Sequence, residues 1–384
     1  MKTFLQPLQN LAEMEEIQKQ AKKNCGILEI SGCMESQKAH LMYGLSGLFP
    51  CHLVIAADEK SAKELYEDYR FYDKRVYYYP AKDLLFFQAD IHGNLLIRQR
   101  MQVIRALLER EDEITVVTSI DGCMDYLAPL EKIEKQLIYF RNDSTLDMDK
   151  LTAALVHMGY ERVGQVEMPG QFSIRGGIID IYSLTEENPW RIELWGDEID
   201  SIRSFDAQSQ RSLENLDDVT IYPAAEQPME KNGVSFLDYF KETETLFFLD
   251  ELNHLEENAK AVQEEFQQSC ENRKEKGEIS LSGDWMCTWE ELCHKINDRN
   301  CVAMSLLDPK KSNWKISGQF NITVKSMSSY QSSFELLVKD LKQYKKEGYR
   351  IVLLSGSRTR AERLAKDLQD EGLNAFYGKD SDRI

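Results

Sequence analysis

The chain has 384 residues, of which 42% are hydrophobic and 10% aromatic, enough to bury the cores of two or three domains. Its formal net charge of −18, without a concentrated basic patch, opposes binding to the phosphate backbone of a nucleic acid. The first residues lack the apolar run of a signal peptide and no segment is long enough to span a membrane, so we expect a cytoplasmic protein whose partner is another protein.

The eight cysteines are scattered without a Cys-x-x-Cys pair, which predicts reduced thiols rather than disulfides or a metal centre. Cys293 and His294 are adjacent, but no second pair at ligand spacing accompanies them. We therefore predict no metal site.

The beginning of the chain has the context of a phosphate-binding P-loop. The sequence predicts a buried strand at residues 26–30, and a glycine turn that starts at Gly32 leads through Lys38 into a helix. Two positions that a working P-loop requires are changed: Gln37 stands in place of the second glycine, and Ala39 replaces the Ser or Thr that holds Mg²⁺. We predict a degenerate nucleotide site that has lost its activity but keeps its fold.

Alternating strands and helices continue to residue 118. Strands are predicted at residues 52–56, 76–79 and 114–118, and helices at residues 60–69 and 96–109. In the second helix the apolar residues follow one stripe and the arginines lie opposite, which predicts a solvated arginine face.

The pattern changes at Pro129. Asp147 is expected to cap a helix, and an antiparallel meander follows, in which residues 176–177 predict a bulge or a close backbone approach. Gly196 and Asp197 fit a two-residue turn. Because residues 190–195 alternate between apolar and charged side chains, one face of this sheet is buried and the other is solvated, as in a platform for a partner.

The α/β pattern then resumes. Further strands are predicted at residues 219–222, 245–249, 301–306 and 320–324. The strand at residues 245–249 is an apolar run that ends in Asp250 and Glu251, which has the form of a Walker B element, although an acidic pair at this place is also common as a simple helix cap.

The last part of the chain predicts a β-α-β unit preceded by a helix. The helices are expected at residues 329–344 and 358–371, and the strands at residues 350–354 and 374–377. We expect residues 329–384 to be the start of a further small α/β domain that is truncated here.

Four segments, at residues 160–162, 170–176, 179–182 and 198–206, resemble domain 2 of the excision-repair protein UvrB and, more closely, the matching domain of the transcription-repair coupling factors. In that family this domain docks the damage-recognition protein UvrA, partly through arginines. By position the resemblance assigns that role to Arg162 and Arg175, whereas Ser173 stands where UvrB chains often have a further arginine.

Two aromatic residues beside these arginines, Phe172 and Tyr182, are candidate apolar anchors of the same contact. A structural role remains open for both types of residue. Arg175 could pair with Asp180 inside the sheet, and Phe172 could lie in the core.

The resemblance also implies the domain organisation. Residues 1–128 and 213–328 would form UvrB-like domain 1, a degenerate RecA-like α/β domain with a parallel sheet, interrupted by residues 129–212 as an inserted α+β domain 2. UvrB carries a tyrosine-rich hairpin near residues 81–93, where this chain has only Phe86 and Phe87, and this difference favours the coupling factors.

The family function implied is an adaptor that recruits UvrA to a stalled RNA polymerase, without catalysis or a bound cofactor in this part. The ATP- and Mg²⁺-dependent motor on double-stranded DNA, and the polymerase contact, would lie in domains absent from this sequence. Two alternatives stay open: a nucleoside triphosphatase that uses Lys38, Asp250 and Glu251, and a damaged-DNA-binding module of the UvrB kind.

Overall fold

The structure is a computed structural model that describes residues 5–23, 26–82, 94–111, 113–226, 233–276, 286–307, 314–324, 327, 330 and 333–378. The strands, in chain order, are β1 Gly26–Ser31, β2 Cys51–Ala56, β3 Val76–Tyr79, β4 Ile114–Ser119, β5 Tyr126–Leu127, β6 Ile138–Arg141, β7 Glu161–Arg162, β8 Gln171–Arg175, β9 Ile178–Ile181, β10 Trp190–Trp195, β11 Glu198–Phe205, β12 Ser212–Leu216, β13 Asp218–Ile221, β14 Val234–Ser235, β15 Thr245–Asp250, β16 Asn300–Ser305 and β17 Ile316–Asn321. The helices are α1 Leu5–Gln9, α2 Met14–Lys23, α3 Glu35–Ser46, α4 Glu59–Tyr69, α5 Asn94–Glu109, α6 Ile120–Met124, α7 Leu130–Glu134, α8 Met148–His157, α9 Leu252–Glu275, α10 Trp289–Asn297, α11 Phe334–Lys346 and α12 Arg358–Asp370.

A seven-stranded parallel sheet organises the larger part of the chain, which we call the large domain. Its strand order is β17-β1-β16-β15-β2-β4-β3. Strands β1, β4, β15 and β16 are buried along their whole length, because helices cover both faces of the sheet. The α/β class and the parallel sheet are therefore confirmed.

The second sheet has six strands and interrupts the large domain. Its order is β12-β11-β10-β9-β8-β7, with antiparallel pairing except between β7 and β8. A separate two-stranded ladder of β6 and β13 and the helix α8 share one hydrophobic core with this sheet. Asp147 caps α8 as expected, since its carboxylate accepts a hydrogen bond from the backbone N–H of Lys150. We call residues 138–226 the insert.

Several predicted elements differ from the structure. Residues 176–177 form the turn of a hairpin rather than a bulge, because Arg175 pairs directly with Ile178 and Gly176 has a φ of 62°. The close backbone approach is confirmed at Gly177, where a Cβ would lie 3.1 Å from the carbonyl oxygen of Leu194. The turn at Gly196 and Asp197 also forms as predicted, between β10 and β11.

The return to the large domain was placed too early. The boundary predicted between residues 212 and 213 falls inside the insert, because β12 extends the six-stranded sheet and β13 pairs with β6. The strand expected at residues 320–324 starts earlier, at Ile316.

Residues 333–378 contain α11 and α12, which pack together through a small core of Val338, Leu341, Leu368 and Leu373. The strands predicted at residues 350–354 and 374–377 do not form in this structure. An apolar run becomes a strand only when a neighbouring strand accepts its backbone hydrogen bonds, and no such pairing is present among the described residues.

Arg100 contradicts the predicted solvated arginine face of α5. Its side chain is fully buried and donates hydrogen bonds to Glu226, to Asp125 (3.1 Å) and to the carbonyl oxygen of Pro80 (2.8 Å). The guanidinium also lies 4.2 Å from the centroid of the Tyr79 ring. Arg100 therefore joins the large domain to the end of the insert.

Phe86 and Phe87 lie outside the described residues. In the part of the chain that the structure describes, no helix combines the length and the apolar character that crossing a membrane requires.

Candidate partner-binding surface and degenerate nucleotide site

The six-stranded sheet has one covered and one open face. Phe172, Ile179 and Ile192 point into the core beneath α8, where all three are fully buried. The residues that alternate with them point to the other side, which we call the open face: Ser173, Arg175, Ile178, Asp180, Arg191, Glu193, Trp195 and Arg203.

The centre of the open face is a fixed network of charges. The carboxylate of Asp180 is buried and accepts two hydrogen bonds from Arg191, at 2.7 Å from Nε and 2.9 Å from Nη2. The guanidinium of Arg191 stacks 4.4 Å from the centroid of the buried Phe205 ring, and its hydrogen bonds to Asp180 raise the pKa of Arg191. Glu193 and Arg203 form a second ion pair beside it.

Arg175 belongs to this network and still reaches the solvent. Its Nη2 donates to Asp180 Oδ2 at 2.6 Å, so the pairing that the sequence left open does form. The side chain remains 46% exposed. Arg175 is thus held in position by a carboxylate that Arg191 already neutralises, and it can also receive a carboxylate from outside.

Arg162 lies on the opposite side of the sheet. In the parallel pairing of β7 with β8, Arg162 is opposite Phe172, whose side chain points into the core. Its own side chain therefore lies on that side of the sheet, and not on the side of Arg175. Arg162 is exposed and lines a shallow groove with Val156 of α8 and Ile174 of β8. The structure therefore does not bring the two predicted arginines onto one face.

The two predicted aromatic anchors also separate. Phe172 is fully buried, so the prediction that it is a surface anchor is wrong and the structural alternative is correct. Tyr182 is half-buried, and its hydroxyl donates to the carbonyl oxygen of Glu187 at 2.6 Å.

Trp195 is the residue that the sequence analysis missed. It is the last residue of β10, lies on the open face and is 84% exposed. The signal was present in the sequence, because the alternation that puts Arg191 and Glu193 on the wet face puts Trp195 there as well.

The charged residues of the predicted nucleotide site are paired with one another. Lys38, at the start of α3, is 2% exposed, and its Nζ lies 2.5 Å from Asp250 Oδ1 and 2.7 Å from Glu251 Oε1. Burial opposes the charge of Lys38, but the Asp250 charge and the hydrogen bonds to both carboxylates outweigh it and raise the Lys38 pKa. The residue that would hold a phosphate is thus neutralised within the protein.

The backbone around this site is constrained in the same way. Gly32 has a φ of 79°, and a Cβ at this position would lie 2.1 Å from the carbonyl oxygen of Ile322. Glu251 has a φ of 54° and its carboxylate accepts a hydrogen bond from the backbone N–H of Leu306 at 2.9 Å. Gly32, Lys38, Asp250 and Glu251 all lie near the carboxyl ends of β1 and β15.

Comparison with known protein families gives a match for the insert. Residues 138–226 match the UvrB interaction domain. The insert is thus similar to the UvrB interaction domain over its whole length.

Comparison with characterised proteins places the whole chain beside one kind of protein. It is 28% identical to the transcription-repair-coupling factor of Bacillus subtilis (strain 168) in an alignment that covers 90% of this chain and 35% of that protein. The corresponding factors of Staphylococcus aureus (strain MRSA252) and Staphylococcus haemolyticus (strain JCSC1435) are each 35% identical, over 43% and 42% of this chain and 14% of each of those proteins. The chain is therefore a relative of the transcription-repair coupling factors, and it spans about a third of the length of the Bacillus protein.

The limits of the UvrB interaction domain agree with the sheet topology. The match begins at the first residue of β6 and ends at Glu226, the carboxylate that Arg100 holds. The matched region thus includes β13 and nearly all of β12, which the sequence analysis assigned to the surrounding domain from residue 213 onward.

Proposed function

We propose that the UvrB interaction domain of this chain docks UvrA, and that the chain is the adaptor part of a transcription-repair coupling factor in nucleotide excision repair. The observation that carries the proposal is the open face of the six-stranded sheet, which presents the half-exposed Arg175 within residues 138–226. The rest of such a factor would supply the contact with stalled RNA polymerase and the ATP- and Mg²⁺-dependent motor on double-stranded DNA.

The electrostatics of the open face support a protein partner. Asp180 is shared by Arg175 and Arg191, so one carboxylate faces two guanidinium groups and the cluster carries a positive charge in an otherwise acidic chain. A carboxylate on the partner would restore the balance through a bidentate pair with Arg175. The net charge of −18 opposes binding to a nucleic acid, which is a polyanion.

We further propose that the nucleotide site is inactive and that this part of the protein makes or breaks no bond. Lys38 is occupied by Asp250 and Glu251, Ala39 offers no hydroxyl to Mg²⁺, and Glu35 places a third carboxylate in the first turn of α3. A nucleotide phosphate would have to displace the buried carboxylate of Asp250 and the partly exposed carboxylate of Glu251 from Lys38, and then lie beside them without a metal ligand from α3.

Titration calorimetry with UvrA tests the adaptor proposal. We expect wild-type chain to bind, and Arg175→Ala to weaken binding at least tenfold, which corresponds to about 1.4 kcal/mol. Arg141→Ala is the matched control, because Arg141 is an exposed arginine on β6 of the same domain. Arg162→Ala reports whether the partner also reaches the other face of the sheet.

A folded wild-type chain that does not bind UvrA would refute the adaptor proposal. The inactive site is tested separately by titration with ATP and Mg²⁺. Magnesium-dependent nucleotide binding that is lost in Lys38→Ala would show that the triad of Lys38, Asp250 and Glu251 opens and that the site works.

A further inference from the structure

We infer that Trp195 is the apolar anchor of the partner contact and that it forms a compact hot spot with Ile178 and Arg175 at one end of the open face. The inference rests on the proposed docking of UvrA and names the part of the UvrB interaction domain that would enter its surface. Four features of the structure carry it.

The first feature is the exposure of Trp195 itself. An indole buries about 150–250 Å² when it is covered. An exposed tryptophan leaves this apolar area in contact with water, which is unfavourable and uncommon in a folded domain. Trp195 is 84% exposed, the largest value among the exposed large hydrophobic residues that the structure describes. Tryptophan and arginine are also the residue types most enriched in binding hot spots.

The second feature is that the neighbours of Trp195 complete a patch of mixed character. In the sheet, Arg175 pairs with Ile178, and Ile178 pairs with Glu193, which lies two residues before Trp195 on the same face. The backbone N–H of Leu194 donates to the carbonyl oxygen of Gly177 at 2.8 Å, which places the two hairpin ends side by side. An exposed indole, a partly exposed aliphatic side chain and a half-exposed guanidinium thus share one end of the sheet.

The third feature is that the chain itself covers part of the open face, next to Asp180. Ser173 is buried, and its hydroxyl donates to the carbonyl oxygen of Gly164 at 2.9 Å. The segment that leads from β7 to β8 therefore lies against the face at Ser173. A partner that docks on the open face is directed toward the Trp195 end.

The fourth feature is that the patch is already ordered. Trp195 and Arg175 are strand residues next to two-residue turns, and Asp180 and Arg191 fix the guanidinium of Arg175. The Arg175 side chain does not have to be immobilised on binding, so more of its contact energy appears as affinity. The partner surface that fits has an apolar pocket for the indole with a carboxylate at its rim for Arg175.

We commit to UvrA as the occupant, because the patch lies in the UvrB interaction domain and its exposed cation calls for a complementary anion. A second copy of this chain is disfavoured, since two molecules with a net charge of −18 repel each other.

The experiment measures UvrA affinity by calorimetry for wild-type chain, Trp195→Ala, Trp195→Phe and Tyr139→Ala. Tyr139 is the matched control, a 65% exposed aromatic residue on β6 of the same domain. We expect Trp195→Ala to weaken binding at least thirtyfold, Trp195→Phe to weaken it less than fivefold, and Tyr139→Ala to have no effect. Far-UV circular dichroism of each variant shows that the fold is retained.

The outcomes separate the two proposals. If wild-type chain binds and Arg175→Ala weakens binding while Trp195→Ala does not, the hot spot is refuted and the adaptor function stands. If wild-type chain does not bind UvrA, both proposals fail. If sedimentation shows that wild-type chain dimerises and that Trp195→Ala is monomeric, a second copy is the occupant and the inference is overturned.

Discussion

Replacing Lys38 by methionine removes the only cation of the buried triad. Methionine has a similar length and leaves the carboxylates of Asp250 and Glu251 without the ammonium that lies 2.5 and 2.7 Å from them. The side chains of these two acids are 8% and 23% exposed, so water cannot fully replace the lost partner. Breaking a buried pair in this way costs about 3–5 kcal/mol. We expect the free energy of unfolding of the large domain to fall by this amount, out of a total of about 5–15 kcal/mol.

The same reasoning predicts how the loss depends on pH. Burial raises the pKa of Asp250 and the charge of Lys38 opposes that shift, so Lys38→Met raises the Asp250 pKa further. A carboxyl whose folded pKa lies above its unfolded value gives its stability below the unfolded pKa and loses it as pH rises through the folded pKa. Relative to wild type, the variant should be least destabilised near pH 4–5 and most destabilised near pH 8.

Urea unfolding, followed by circular dichroism at pH 5 and pH 8, measures both effects. The triple change Lys38→Met, Asp250→Asn and Glu251→Gln removes all three charges and should recover most of the loss. Lys60→Met is the control, because Lys60 is 85% exposed and should change stability by less than about 0.5 kcal/mol. A Lys38→Met variant within 1 kcal/mol of wild type, or one that is more stable at pH 8 than at pH 5 relative to wild type, would refute the description of the triad as a closed, charge-neutralised site.

Three further predictions concern other buried groups. Arg100→Met should lower the free energy of unfolding by about 3–5 kcal/mol, since it removes the ion-pair partner of the buried Asp125 and leaves Glu226 with Lys82 alone; the half-buried Arg98, changed in the same way, is the control in urea unfolding. Phe172→Ala should cost about 3–5 kcal/mol by opening a cavity in the insert, yet leave the UvrA affinity of the folded molecules unchanged in calorimetry; a selective loss of affinity would return Phe172 to the contact. Burial lowers the pKa of His52 to about 4, below its unfolded value, so its contribution to stability is present above about pH 6.5 and is lost as pH falls toward 4; His52→Gln should flatten the pH dependence of the urea midpoint in that range.

The sequence predicts the large sheet well because its strands are short, mostly apolar and separated by helices. A parallel strand buried on both faces has few other ways to satisfy its residues, and β1, β4, β15 and β16 form close to their predicted positions. The proximity of Lys38 to Asp250 and Glu251 has the same origin, since parallel strands direct their carboxyl ends to one edge of the sheet.

Long-range pairing explains the elements that the sequence does not predict. An arginine on the polar side of a helix has the pattern of a solvated residue. Arg100 is nevertheless buried, because it pairs with the carboxylate of Glu226, 126 positions later in the chain. The strands at residues 212–221 resemble the start of the next α/β unit, but their partners are β11 and β6. Which face of the meander is open depends on where α8 packs, and local alternation does not contain that information.

The two faces also explain the mixed outcome for the site residues. Alternation correctly separates Arg175 from Phe172, which are three residues apart on β8. The position of Arg162 depends on the parallel pairing of β7 with β8. This contact involves only two residues of each strand, and no periodic pattern in the sequence predicts it. Trp195 follows the same alternation as Arg191, and attention to it alone would have found the most exposed aromatic residue of the sheet.

The attachment of the insert determines how it presents a bound molecule. Besides the chain crossings at both ends, Arg100 grips Glu226, Arg105 pairs with Glu186, and the hydroxyl of Tyr222 donates to Glu109 at 3.0 Å. These contacts fix the insert to α5, so the insert is held rigidly on the large domain and is not flexibly tethered to it. A molecule bound at the Trp195 end would therefore have a fixed orientation relative to the parallel sheet. Any partner that binds the large domain would set the orientation of that molecule as well.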